Sequence, residues 1–184
     1  MGERRLLALK ILVWAQILVC ALSSSAAAEA QVWFDPKLVT DVRIGIFCSP
    51  DSPYLSSSPD TTKGTTERYS KNPVLVSKTQ TIPAINRIMF GIETRQLFRS
   101  LPKVMVTIRH PPIGPSRART ERWESWPDDN QITSDGYILD PADGDLTGIW
   151  TISGTRGSEE VFRVAFKVVK PKKGDSNPCV APSS

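Results

Sequence analysis

Histidine occurs once in 184 residues and cysteine three times, and the apolar run nearest the N-terminus is short. Each scarcity excludes a class of chemistry. A transmembrane helix needs about 20 apolar residues, whereas the run from Ile11 to Leu22 has 12. One histidine and widely spaced cysteines cannot supply the usual zinc ligand sets. No Gly-x-Ser-x-Gly elbow marks a serine nucleophile. No Gly-rich phosphate loop, and no basic stripe interleaved with aromatics, marks a nucleotide or nucleic-acid site. These absences argue against an enzyme, a cofactor carrier and a nucleic-acid binder.

What is present at the N-terminus is an export signal. "MGERRLLALK" supplies Arg4, Arg5 and Lys10, the apolar run follows, and Ala28-Glu29-Ala30 meets the small-x-small rule for cleavage. Residues 1–30 therefore read as a signal-peptide helix, with no stable membrane insertion after cleavage. Cys20 is no lipidation site, because Val19 precedes it and the apolar run continues past it. Cleavage after Ala30 leaves 154 residues, enough for one domain with a real core. Removing Arg4, Arg5 and Lys10 with Glu3 and Glu29 leaves 20 basic and 17 acidic residues, a net charge of +3. So mild and mixed a charge draws the protein to neither nucleic acid nor an anionic membrane. The reading is a periplasmic or secreted protein of a Gram-negative-type bacterium, with a domain at 31–170 and a tail at 171–184.

Period-two alternation runs through the domain. "VRIGIFC" puts Val42, Ile44, Ile46 and Cys48 on one face. Ile88, Phe90 and Ile92 alternate in "INRIMFGIE", and Val104, Val106 and Ile108 in "KVMVTIRH". Trp150 and Ile152, then Phe162, Val164, Phe166 and Val168, do the same near the end. Such alternation marks half-buried strands. With weaker candidates at 73–79 and 136–140 there are about seven strands, joined by turns such as "TRGS" and "DPADGDLTG". The Ser/Thr/Pro-rich segment 49–67 reads as a mobile loop, and 111–130 as a long crossing loop. Seven short strands in one domain predict an all-β, immunoglobulin-like antiparallel sandwich. "LTGIWTISG" fits its corner between the fifth and sixth strands, with Trp150 in the place of the usual tyrosine. An exported pair of cysteines invites a disulfide, and Cys48 and Cys179 leave the same end of the fold if their strands run parallel side by side.

Four motifs in chain order resemble a bacterial family, domain of unknown function 3859. "IPAINRIMFG" is similar to its Ile-Pro-Ala segment leading into a Phe-Gly strand. "VTIRHPP" is similar to its strand ending in an aromatic or histidine and Pro-Pro. "GYILDPADGDLTGIWTI" resembles its Tyr-x-x-Asp and Gly-x-Trp signature, and "FRVAFKVV" its closing Phe-x-Val strand. The resemblance spans about residues 38 to 170 and departs in the Ser/Thr segment after Cys48 and in "ADGD". It implies an exported sandwich domain and no particular activity.

Candidate sites are few. His110 falls on the face of Val104, Val106 and Ile108, so it packs at the rim of the core, where Pro111 and Pro112 end the strand. The aspartates of "DPADGD" are turn formers; the loop lacks the spacing and closing glutamate of a calcium site. Trp123 and Trp126 sit in a polar segment beside Arg117, Arg119 and Arg122. Loop tryptophans anchor proteins or stack on sugars, and arginines pair with phosphate or carboxylate. The sequence thus predicts a non-enzymatic module for a periplasmic protein or envelope component, or alternatively a glycan or small-ligand binder using these five residues.

Overall fold

In the computed structural model, which describes residues 32–97, 103–144 and 146–180, the chain forms two facing sheets and a separate hairpin. The expected signal segment, its cleavage site and Cys20 lie outside the described residues. The first sheet rests on four antiparallel strands in spatial order β9 (Ala118–Ser125), β8 (Val104–Ile113), β11 (Gly148–Arg156) and β12 (Glu159–Val169). Two short strands share the outer edge of β12: β1 (Val32–Phe34), antiparallel, and β6 (Thr81–Pro83), parallel. The second sheet runs β10 (Ile132–Ile138), β7 (Met89–Gln96), β2 (Val39–Cys48), β5 (Val74–Ser77). β3 (Tyr54–Ser57) and β4 (Thr65–Arg68) pair only with each other. Successive strands β7 and β8, β9 and β10, and β10 and β11 lie in opposite sheets. Two facing antiparallel sheets, each built on four main strands and connected by crossings from one to the other, make an immunoglobulin-like sandwich.

The alternating residues supply the core. Phe90 of the second sheet meets Trp150 and Phe166 of the first edge-on, with ring centroids 5.7 and 5.0 Å apart. Such pairs add about 0.5–1.5 kcal/mol each beyond their burial. Trp150 is fully buried and donates from Nε1 to the Leu146 carbonyl, four residues upstream, at 2.9 Å. That is the bond by which the corner tyrosine of such sandwiches reaches back to the chain.

The structure corrects four expectations. The described residues hold twelve strands, not about seven, because β1, β3, β4, β6 and β9 are short or carry polar residues at inward positions. Segment 49–67 contains both strands of a hairpin and 111–130 contains β9, so neither is only a loop. Pro111 and Pro112 do not end their strand. They occupy an irregularity between Arg109 and Ile113, after which β8 pairs again at Ala118, so their missing N–H groups cost the ladder nothing. In β2, Ile46 and Phe47 are both buried, because the pairing with β5 shifts between them and breaks the alternation.

Cys48 and Cys179 form the expected disulfide, with Cα atoms 5.3 Å apart across 131 residues of sequence. Their strands are not neighbours, however: Cys48 ends β2 in the second sheet, whereas the chain reaches Cys179 from β12 in the first. The bridge therefore joins the two layers.

Candidate functional site

β9 and β10 are the edge strands of their sheets, and the hairpin β3–β4 lies beside both. It closes the β9 edge. Arg122 donates its backbone N–H to the Asp60 carbonyl (3.0 Å), and the Arg68 guanidinium donates to the Glu124 carbonyl (2.8 Å). The Thr62 amide and hydroxyl donate to the Glu121 carboxylate at 3.0 and 2.8 Å. The β10 edge is treated differently. The segment after the hairpin turn is tied to the β10 side through side chains: Lys63 to Asp140 (2.8 Å), Arg87 to Glu67 (2.7 and 2.9 Å) and Asn72 to Asp128 (2.7 Å). Between these ties lies a cleft of about 610 Å³.

β4 and Tyr69 line one side of the cleft, β10 another, and Trp123 and Trp126 the β9 end. Tyr54 and Trp126 are about 60% exposed, whereas Trp123 is half-buried. Lys103 Nζ stands 6.0 Å over the Trp126 ring. The charges are largely internally paired. The Arg87 guanidinium holds the Glu67 carboxyl below its ordinary range, and Lys63 does the same for Asp140. Burial alone would lower Lys63, but Asp140 and Asp143 outweigh it and hold the ammonium above its usual value. Tyr69 donates to Glu67 at 2.9 Å, and burial together with that carboxylate pushes the phenol up to about 12. It is therefore neutral at physiological pH.

Beneath the hairpin lies a buried polar cluster. His110 stacks on Trp150 with centroids 4.8 Å apart and a 27° tilt. Its Nδ1 lies 2.8 Å from the Pro111 carbonyl and its Nε2 3.4 Å from Glu121 Oε1. Burial pushes Glu121 up, but the adjacent His110 ring and the hydrogen bonds from Thr62 outweigh it, and the carboxyl ends below its ordinary range. Tyr137, 4.8 Å from Trp150, is raised by burial and by the nearby Glu121 and Asp143. Asp135 of β10 lies deeper still. Trp123 Nε1 donates to its Oδ1 at 3.3 Å, and burial raises its pKa against the hydrogen bonds from Ser125 and Trp123, which lower it.

The five residues singled out in the sequence separate. Trp123 and Trp126 both line the cleft. Arg122 lines only a second groove, bounded by residues 56–60 of the hairpin, and Arg117 and Arg119, at or next to the β8–β9 turn, line neither. His110 is at the core rim on the face expected from parity. Asp140 caps a short 3-10 turn at Pro141–Asp143 by accepting from the Ala142 N–H, which accounts for one aspartate of "DPADGD". Among the described residues no three His, Cys, Asp or Glu side chains are grouped to hold a metal. Sequence reasoning missed the hairpin side of the cleft, with Tyr54, Glu67, Arg68 and Tyr69. The available signal was "YLSS" and "TTERY", β-favouring residues flanking a turn with Pro, Asp and Gly.

Comparison with known proteins adds a family. The family model described as "Domain of unknown function (DUF3859)" matches residues 36–168. Among curated proteins none matches the chain. The crystal structure of an immunoglobulin-like protein from Pseudomonas aeruginosa is similar at 15% identity and a TM-score of 0.48, covering 78% of this chain and 100% of that one.

Proposed function

Because the chain belongs to the DUF3859 family, whose description assigns no activity, we propose a role from its own geometry: a non-enzymatic, exported binding module. Its ligand sits in the cleft between the β3–β4 hairpin and β10. The observation that carries this reading is the cleft itself, about 610 Å³ with exposed aromatic rings at Tyr54 and Trp126. That size suits a small ligand or a short segment of a partner. With its ion pairs already satisfied internally, the cleft offers aromatic contact and hydrogen bonds rather than net charge. Export is supported by the signal-like residues 1–30 and by the Cys48–Cys179 disulfide, a bond that persists in oxidising compartments. Among the described residues no helix is long and apolar enough to cross a membrane. The partner is a periplasmic protein or another envelope component. The exposed tyrosine and tryptophan favour a second reading, a saccharide stacked on those rings.

Intrinsic tryptophan fluorescence tests the site. Titration with a peptide library and an oligosaccharide panel is expected to yield a binder that shifts the emission, and Trp126→Ala should weaken that binder about tenfold or more. Binding that is identical in wild type and Trp126→Ala for every probe would remove the cleft from consideration.

A further inference from the structure

The hydrogen-bond parity of β10 leaves one set of its backbone groups facing the cleft. The Gln96 amide donates to the Gln131 carbonyl (2.7 Å), and the Leu139 amide donates to the Ile88 carbonyl (2.9 Å). In the register Gln131–Gln96 through Leu139–Ile88, the odd-numbered residues of β10 are thus the ones bonded to β7. The even-numbered residues point their N–H and C=O groups the other way. Ile132 confirms the parity, since its N–H and C=O bond instead to Asp128 at 2.8 and 2.9 Å. Ser134, Gly136 and Ile138 follow it. All three line the cleft, and their backbone groups have no partner among the described residues. The Ser134 hydroxyl and the Thr66 hydroxyl on the β4 wall are also buried without partners.

Buried backbone N–H and C=O groups are nearly always paired. Neighbouring strands lie about 4.8 Å apart, and β4 flanks the cleft without hydrogen bonding to β10. We propose that the cleft receives an extended peptide segment, which adds to the Ser134–Ile138 edge as a further strand of the second sheet. This rests on the cleft being the binding site. Main-chain bonds would supply the affinity, and the alternating side chains the specificity. Because Lys63, Arg87 and Glu67 are already paired, the peptide side chains directed inward are uncharged. Those directed outward lie near the exposed Tyr54 and Trp126 rings.

The probe is a peptide selected on the purified protein from a phage-displayed random dodecamer library. On binding, exchange of the Ser134, Gly136 and Ile138 amides should slow by roughly tenfold or more, while Asp135 and Tyr137, already bonded to β7, stay as they were. N-methylation of alternate peptide amides should weaken binding in one parity, by up to roughly tenfold per amide, and spare it in the other. Ser134→Pro, which removes an outward donor on an edge strand, should weaken binding too. Should Ser134→Pro fail to fold, the exchange and N-methylation measurements on wild type still decide. A cleft-bound peptide indifferent to N-methyl parity overturns strand addition and leaves the cleft reading intact. The same holds if only oligosaccharides, and no peptide, shift Trp126 emission. Binding of every probe unaffected by Trp126→Ala overturns both.

Discussion

Asp135 carries its carboxyl into the buried interior of the sandwich. The carboxyl accepts from Trp123, and burial outweighs the hydrogen bonds from Ser125 and Trp123 and raises the pKa above the ordinary 3.8. A carboxyl with a raised folded-state pKa binds its proton more tightly in the native protein than in the unfolded chain. Stability therefore falls as pH rises from the unfolded value through the raised folded one. Asp135→Asn keeps an acceptor for Trp123 and removes the charge. It should raise stability at pH 7 by about 1–2 kcal/mol, with the gain shrinking toward pH 4. Urea melts of both proteins at the two pH values check this; a variant less stable at pH 7 would show that the ionised form is the favoured one. The position also explains part of what the sequence conceals. Parity placed His110 at the core rim correctly, because its strand partners Val104, Val106 and Ile108 are apolar and their face is unambiguous. Asp135 sits on an inward face shared with Thr133, and both are buried polar residues. Hydrophobic patterning cannot recognise an inward position that holds a polar side chain.

The same difficulty explains the missed elements. β9 alternates in a regular way, with Glu121 and Ser125 buried and Arg122 exposed, but its inward set is polar on either side of a half-buried tryptophan. Its burial follows from long-range contacts that no local window contains: Glu121 meets Thr62 from 59 residues away, and His110 from the neighbouring strand. The long apolar strands β2, β7, β8, β11 and β12 were legible, as was the tryptophan corner, because each buries apolar residues against the opposite sheet. The hairpin was not, because side-chain ties rather than core burial hold it in place. Glu121 is the chief tie at the hairpin turn, accepting two hydrogen bonds from Thr62. Glu121→Ala should release the turn at a cost of about 2–3 kcal/mol, since a buried carboxylate with charged-group hydrogen bonds is lost. Amide exchange at Thr62 and Gly64 should accelerate, while exchange in β11 and β12 changes only with global stability. Equal acceleration in every element would mean that the hairpin is not separately held. The cleft follows from the same arrangement, because the hairpin meets the β9 edge directly, through the Asp60 carbonyl, Thr62 and Arg68, but is tied on the other side only to Asp128, Asp140 and Arg87, outside β10, which leaves a gap along that strand.

At the scale of the whole molecule the two sheets are joined by the Phe90 contacts within the core and by one covalent bond outside it. The chain leaves the first sheet at Val169, Asn177 Nδ2 donates to the Asn86 carbonyl beside the second sheet (3.0 Å), and Cys179 is bonded to the end of β2. The sequence disclosed that the cysteines pair but not that the pair spans layers, since nothing local says which sheet a strand enters. A bridge across 131 residues of sequence constrains the unfolded chain strongly; the chain-entropy model puts the effect at about 4–5 kcal/mol. Cys179→Ser should therefore lower the melting temperature by roughly 10 °C for a domain of this size. Dithiothreitol should bring the wild type down to the variant and leave the variant unmoved. Because the last described strand ends at Val169, before the bridge, the variant should retain its fold, its near-ultraviolet signal from the buried Trp150 and its protection in β11 and β12. A melting temperature equal in wild type and Cys179→Ser, with or without reductant, would mean that the bridge joins the layers without stabilising them. A variant that loses the Trp150 signal altogether would mean that the sheets need the covalent tie to pack, and that the core contacts between them are insufficient alone.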